Sequence, residues 1–506
     1  MNIRELALLL IAMPCAASVE VAGRMWDFGE GVSVSGTVAT VSTVGASVKS
    51  ASLTTRIDVS PYLKDGIEWQ IRVCGRGVEK PSKPYLGVKA MLVYEDASGK
   101  RQYPGPIGKT GDFGWLVARC RTAFGSGIRG NEATLVLGLQ NAEGEVSYDL
   151  ASLTVMPMKV PLEAVDEARK CEYTPRIAGL PALRGVMSPS RPMTEDDFAK
   201  LKNWGVRLLR YQMNRFWNLH DANRDLSDYD RWLGSKLDHL EAVVLPLAAK
   251  YGIQVAIDLH MPPGGRAYDG EMNMFYEPEY AEHFVGWWRK IARRFRANSA
   301  IYGYDIVNEP QQTYNPVGGM GWLGLQVKAA KAIREIDPST PIIIESNNWD
   351  SPAAFAEMPA LDMKDVIYEV HLYSPMEFTH QGVDRPHVPT HWPDADKGWS
   401  RDHLRRVLAP VLEFQRRHGA RIYVGEFSAI AWAEGAERWM KDAISVFEEY
   451  GWDWTYHAYG EFAGWSVEHS AERPYEFRPE AATPRKAVLL MGLSGGMPLD
   501  GASFDL

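Results

Sequence analysis

What most restricts the fold of this chain is a rhythm. From residue 183 onward, short runs of β-branched and aromatic residues alternate with longer runs of helical periodicity. The alternation continues until eight strands are counted, at 183–187, 207–211, 253–259, 304–309, 341–345, 366–370, 421–427 and 452–457. Residues 229–251 show the helical half of the pattern, with Leu233, Leu237, Leu240, Val244 and Leu247 on one face. Strands joined through helices run parallel, and eight such units close a (β/α)8 TIM barrel of the α/β class. Reacting groups in that architecture stand at the C-terminal strand ends. Arg210, His260, Asn308, Glu309, His371, Tyr373 and Glu426 all fall there.

Upstream the pattern changes. Between residues 24 and 160, short alternating strands such as 66–73, 87–94 and 133–139 are separated by Gly, Ser and Asp turns. This predicts an N-terminal β-sandwich. Its strand order, Leu92-Val93-Tyr94-Glu95-Asp96 before a polar turn, and the closing run Val146-Ser147-Tyr148-Asp149 loosely resemble the jelly-roll modules attached to carbohydrate enzymes. That resemblance implies a carbohydrate-binding role, for which Trp69, Tyr85, Tyr103 and Trp115 are the candidate platforms. Trp69 lies in a regular strand and is expected in the core. Residues 161–180 read as a linker and 181–498 as the barrel.

With 506 residues the chain has room for two domains and a large core. Its net charge of -9 offers no basic surface for nucleic acid or an anionic membrane. Residues 1–17 read as an export signal, with Arg4, an apolar core from Leu6 to Met13, and the small residues Ala16 and Ala17. That core is too short to cross a bilayer as a helix. A secreted or periplasmic monomer without a membrane partner is the expectation. Cleavage after Ala17 leaves Cys74, Cys120 and Cys171, an odd number. Cys74 and Cys120 share a domain and could pair, while free buried thiols are the plainer expectation.

Two strand ends share one design. Tyr304-Asp305-Ile306-Val307 delivers Asn308 and Glu309 before Pro310, and Arg421-Ile422-Tyr423-Val424-Gly425 delivers Glu426. Glycoside hydrolysis takes a proton for the leaving oxygen and a partner for an oxocarbenium-like centre, and two facing carboxyl groups supply both. Glu309 is expected to act as acid and then base, Glu426 as nucleophile. Asn308 suits a hydrogen bond to a sugar 2-hydroxyl. Tyr373 is expected to donate to Glu426, and Arg210 to hold it ionised. One strand-end glutamate is more often a salt-bridged structural residue. Two with these neighbours, on alternating units, reverse that reading.

On these residues the stretch 183–494 resembles glycoside hydrolase family 5, the cellulase family. Asn308-Glu309-Pro310 matches the acid/base motif, Gly425-Glu426-Phe427 the nucleophile strand, and Arg210 the strand-two arginine. His260 matches the strand-three histidine, and His371 with Tyr373 the His-x-Tyr of strand six. The family usually ends strand eight on a tryptophan that floors the cleavage subsite. Here the strand reads Trp454-Thr455-Tyr456-His457, followed by Gly464-Trp465-Ser466. Trp454 and Trp465 are both candidate floors, and His457 is a third. The resemblance implies retaining hydrolysis of a β-linked polysaccharide or oligosaccharide, a β-1,4-glucan first. A mannan, a xylan-type polymer or another β-glycoside is the alternative, and a non-catalytic carbohydrate-binding barrel the competing class.

Asp258, His260 and His371 could also read as metal ligands. No His-x-His pair ends strand one and no HExxH helix occurs, so neither a catalytic metal nor a cofactor is expected. Trp287 and Trp288 lie mid-helix and belong in a core. Trp349, Trp392, Trp399 and Trp432 fall in strand-end loops and read as sugar platforms. The long loop 376–399, with His380, His387 and His391, reads as a cleft wall.

Overall fold

A computed structural model describes residues 17–83, 85–105, 108–125, 127–158, 168–215, 222–267, 270–316, 319–383 and 386–497. The export signal expected at 1–17 lies outside these residues apart from Ala17, as does the first part of the expected linker. The chain divides into two compact units, Met1–Pro161 and Leu162–Leu506.

The first unit holds two antiparallel sheets. One runs in the order Ala17–Val21, Arg24–Phe28, Ser50–Asp58, Glu132–Gln140, Gly87–Glu95 and Arg101–Gln102. The other runs Val32–Ser35, Val38–Ser42, Glu145–Pro157, Ile67–Val78 and Gly111–Thr122. The two-residue period puts Ile67, Trp69, Ile71 and Val73 inside, against Leu53, Leu135 and Leu137 of the facing sheet. Tyr148 ties the sheets together: its hydroxyl donates to the Lys89 carbonyl at 2.6 Å and accepts the Gly138 N–H at 3.2 Å. A buried phenol is thereby satisfied. Trp69 is core, as its strand position requires, and Tyr103 packs on Met91, Val93 and Val136. Trp115 is 44% exposed, with the Arg72 guanidinium 5.2 Å from its ring centre. Cys74 and Cys120 are free thiols, and Cys120 stands opposite Trp69 rather than Cys74.

The second unit is a closed barrel of eight parallel strands. They are β1 (Arg184–Met187), β2 (Leu208–Gln212), β3 (Gln254–Asp258), β4 (Ile301–Asp305), β5 (Ile342–Glu345), β6 (Val366–Leu372), β7 (Arg421–Phe427) and β8 (Asp453–Tyr456). The first barrel helix, Glu195–Trp204, opens on a capping box between Thr194 and Asp197. The helix expected at 229–251 is Leu226–His239 and Leu245–Tyr251 joined by a π-turn, Leu240–Val244. Pro246 cannot donate to the preceding turn, and the wider turn absorbs the missing bond. The end of the expected linker is tied to the barrel: Arg169 Nε donates to the Leu361 carbonyl at 2.9 Å, and Thr174 N to Asp365 at 2.7 Å. Among the described residues no helix is long and apolar enough to cross a membrane.

Alternation along the strands builds the interior in layers. Leu208, Ala256, Ile343 and Ile367 belong to an apolar layer with Tyr302 and Tyr423. Two residues further along, the same strands turn polar, with Arg210, Asp258, Glu345 and Glu369. One irregularity matters for function. Strand β7 pairs Val424 with Val370 and Glu426 with His371, so Gly425 is an extra residue. Before it Tyr423 faces inward; after it Phe427 packs outward on Phe447 and Trp454. This bulge swings Glu426 into the barrel mouth. Only glycine fits there, because a β-carbon would overlap the Glu369 carboxyl.

Candidate active site

Glu309 follows β4 at the mouth in a left-handed conformation, φ 50°. For a residue with a β-carbon this costs about 1–3 kcal/mol and persists only where the surroundings enforce it. Here they do. Its N–H donates to Glu345 Oε2 at 2.6 Å, and Arg266 Nη2 donates to the carbonyls of Asn308 and Glu309, each at 2.9 Å. The Glu309 carboxyl meets His371 Nδ1 at 3.0 Å.

Glu426 is held at both oxygens. Arg210 Nη1 donates to Oε1 at 2.6 Å and the Tyr373 hydroxyl to Oε2 at 2.7 Å. One carboxyl oxygen of Glu309, one of Glu426 and a ring nitrogen of His371 all lie within 4.8 Å of one another. That approach lies nearer the roughly 5–5.5 Å of carboxyl pairs in which one attacks and the other handles the proton than the roughly 6.5–9.5 Å of pairs that leave room for an attacking water. Burial would raise the Glu426 pKa, but His371, His457 and Arg210 outweigh it and hold the carboxyl well below its usual range. Burial would likewise discharge His371, yet Glu426, Glu345, Glu309 and Glu369 around it keep it cationic, well above the ordinary imidazole value.

Beneath this pair lies a buried charge cluster. Arg210 is fully buried and donates to Asp305 at 2.9 Å, Glu345 at 2.8 Å and Asn308 at 3.0 Å. Glu369 lies 3.1 Å and Asp258 3.6 Å from the same guanidinium. Carboxyl groups outnumber cations, so part of the cluster stays protonated. Burial pushes Asp305 up to about 6 against the pull of Arg210, and Asp350 up to about 8. Burial and the neighbouring Glu369 raise Glu345 well above its usual value. Glu345, Asp350, Glu369 and His371 also come within 4.8 Å of one another, close enough to surround a cation. Arg210 already pairs with Glu345 and Glu369 of that group, and both Glu345 oxygens are taken, by Arg210 and by the Glu309 N–H.

The sequence reading missed Asp305, Glu345, Glu369 and Arg266 as parts of this site, and weighed Asp258 only as a metal ligand. For Glu345 and Glu369 the usable signal was a charged residue at an alternate position of an otherwise apolar strand, because a charge facing a barrel interior needs a partner there; Arg266 lies in the loop after β3 and carried no such signal. Of the residues that reading did select, Arg210, His260, Asn308, His371 and Tyr373 converge with the two glutamates. His260 Nδ1 bonds Asp258 at 2.8 Å, leaving Nε2 3.4 Å from Asn308 Nδ2. Trp465 lies against His457, His380 and Tyr373, with ring centres 5.9, 4.9 and 6.4 Å away.

Trp454 is a correction. It is fully buried, donates to Glu448 at 2.9 Å and packs on Phe427. The alternation of β8 sends it to the helix layer, so it cannot floor a subsite. His457, at the end of the same strand, reaches the mouth instead, with Nδ1 2.7 Å from the Tyr373 hydroxyl. Trp392 is also scaffold rather than platform: it is buried and donates to Asp442 at 2.9 Å. Trp399 and Trp432 are nearly covered, whereas Trp349 is 37% exposed.

The model of the family described as cellulase (glycosyl hydrolase family 5) matches residues 170–463, a span that includes both glutamates. Endoglucanase C of Acetivibrio thermocellus is 28% identical over 250 residues, which cover 41% of this chain and 69% of that protein. Cellodextrinase A of Ruminococcus flavefaciens is 28% identical over 276 residues, covering 51% of this chain and 75% of that one. A solved endoglucanase structure aligns over 62% of this chain and 98% of its own, at 20% identity and a TM-score of 0.48.

Proposed function

Because the chain belongs to the cellulase family, glycosyl hydrolase family 5, we propose a division of labour among its own residues: Glu309 is the acid/base and Glu426 the nucleophile. Glu309 delivers its proton to the leaving oxygen while Glu426 attacks the anomeric carbon from the opposite face. Glu309 then takes a proton from water, which releases the sugar with its configuration retained. The approach of the two carboxyl groups to within 4.8 Å carries this reading. The contacts at Glu426 fit an ionised nucleophile. Asn308 and His260 remain beside it for the hydroxyls of the bound sugar.

The substrate is a β-linked glucan, with β-1,4-glucan the first choice. The names of the relatives, an endoglucanase and a cellodextrinase, support it. Proton NMR of the first product tests the mechanism: the β-anomer should appear before mutarotation, and early α-anomer would sink the retaining assignment. A polysaccharide panel tests the substrate, since a mannan or xylan cleaved faster than a β-1,4-glucan overturns that choice.

Trp349 is the platform for the leaving-group side. Its ring lies over the Arg266 guanidinium at 4.6 Å, and its backbone N–H donates to the Pro310 carbonyl at 3.2 Å, next to Glu309. Asn348, Trp349 and Asp350 are three successive left-handed residues, the kind of strain that gathers at binding sites. Losing a stacked ring at about 1–2 kcal/mol should raise KM for a cello-oligosaccharide about tenfold in Trp349→Ala. An aryl glycoside with no sugar in the leaving group should be unaffected. Equal changes for both substrates would remove Trp349 from that subsite.

A further inference from the structure

At the mouth, beside Trp465, the end of β8 joins a chain of polar groups. Glu461 Oε2 lies 3.2 Å from His457 Nε2, and His457 Nδ1 lies 2.7 Å from the Tyr373 hydroxyl. That hydroxyl lies 2.7 Å from Glu426 Oε2. Gln212 Nε2 donates to Glu461 Oε2 at 3.1 Å and fixes the far end. Both imidazole nitrogens face oxygen atoms, so the ring orientation is settled by its partners.

We propose that Glu461, His457 and Tyr373 form a hydrogen-bonded relay ending on the Glu426 carboxylate, and that His457 acts in it as a doubly protonated positioning residue. The inference rests on Glu426 being the nucleophile.

Counting protons leads to it. Tyr373 has one hydroxyl proton and two partners at 2.7 Å. If that proton points to His457, two oxygen atoms face each other at 2.7 Å with nothing between them, which is repulsive. Protonating Glu426 would remove the clash, but Arg210 donates to its other oxygen at 2.6 Å and favours the anion. The remaining arrangement gives the tyrosine proton to Glu426, and His457 Nδ1–H donates to the tyrosine oxygen. Nε2–H then donates to the Glu461 carboxylate, so both ring nitrogens carry hydrogen.

The charged surroundings agree. Glu461 and Glu426 face the ring from opposite sides, with Glu426 Oε2 3.9 Å from Nδ1, and Glu309 adds its charge from further off. On the Glu426 side stand Arg210, His371 and His260, and His260 also faces Glu461. The His380 ring packs edge-on against Tyr373. The relay places a cation beside the nucleophile, under the ring of Trp465.

Nitrogen-15 NMR of the imidazole of His457 in the whole protein reads the proton count without any substrate. At neutral pH both nitrogens should be protonated in the native enzyme. Glu461→Gln should lower the pH at which the ring loses its second proton by about one unit. A bare ring nitrogen at pH 6, or an unmoved titration in that variant, overturns the relay. His457→Gln removes the cation next to Glu426, so the acid limb of kcat/KM should move up by about one pH unit. An acid limb that stays in place, whatever the rate, also overturns it. If Glu426→Ala kept its turnover, the nucleophile assignment would fail, while the NMR result would still report on the ring.

Discussion

Glu426→Ala should lower kcat by at least about 10⁴-fold while leaving the thermal unfolding midpoint close to that of the parent. The site then holds Glu309 and a gap where the nucleophile stood. Azide fits that gap and should restore turnover of an aryl β-glycoside, giving a glycosyl azide of inverted, α configuration, because it attacks from the face Glu426 occupied. Glu309→Ala should behave differently. With an aryl leaving group that needs no proton, the first step survives and the second lags, so a burst precedes slow turnover. Azide attacking the glycosyl-enzyme should then give the β-azide. The same azide anomer from both variants would show that the two carboxyl groups do not stand on opposite faces of the sugar. Turnover by Glu426→Ala without azide would remove it as nucleophile. The test is sharp because the two side chains come within 4.8 Å of each other but have different hydrogen-bond partners. Arg210 and Tyr373 engage Glu426, while His371 engages Glu309.

Arg210→Met should destabilise the barrel by about 3–5 kcal/mol at neutral pH, the usual result of removing one partner from a buried ion cluster. Arg210 is the guanidinium shared by Asp258, Asp305, Glu345, Glu369 and Glu426. The pH dependence gives the loss a signature. Asp305 and Asp350 have folded-state values of about 6 and about 8, above the roughly 3.9 of an unfolded aspartate. The folded state therefore binds more protons than the unfolded state. Their stabilising contribution is full below about pH 4 and is lost as pH rises through about 6 and then about 8. The native enzyme should accordingly become less stable across that window. In Arg210→Met the decline should be steeper, because each carboxyl loses the cation that eased its ionisation. Denaturant unfolding at a series of pH values measures both effects. A variant whose loss is the same from pH 4 to pH 8 would mean that the guanidinium contributes packing rather than charge.

Some of this was present in the residues themselves. Period two and period 3.6 are local properties, so the alternation from residue 183 onward announced eight parallel strands, and the strand ends named Glu309 and Glu426. Short alternating strands upstream announced the sandwich. The motif at Asn308-Glu309-Pro310 pointed to a proton-transfer role because its neighbours recurred in order along the barrel. Trp454 shows where local reading ran out. An aromatic residue near a strand end reads the same whether it faces the mouth or the helix layer, and the alternation of β8 decides which. The bulge at Gly425 was invisible for a related reason: an extra residue is defined only against the strand beside it.

The buried acids mark the deeper limit. Asp258, Asp305, Glu345 and Glu369 come from four strands, and nothing within any one strand says that they share a guanidinium. The sequence by itself determined the elements, their order and the two carboxyl groups, because these follow from short-range periodicity and from what each strand end must present. Only the tertiary structure decided which buried acids share one guanidinium, which of them keep their protons and that His457 stands beside Tyr373. Electrostatic interaction depends on distance through space, and barrel closure, not chain order, sets those distances.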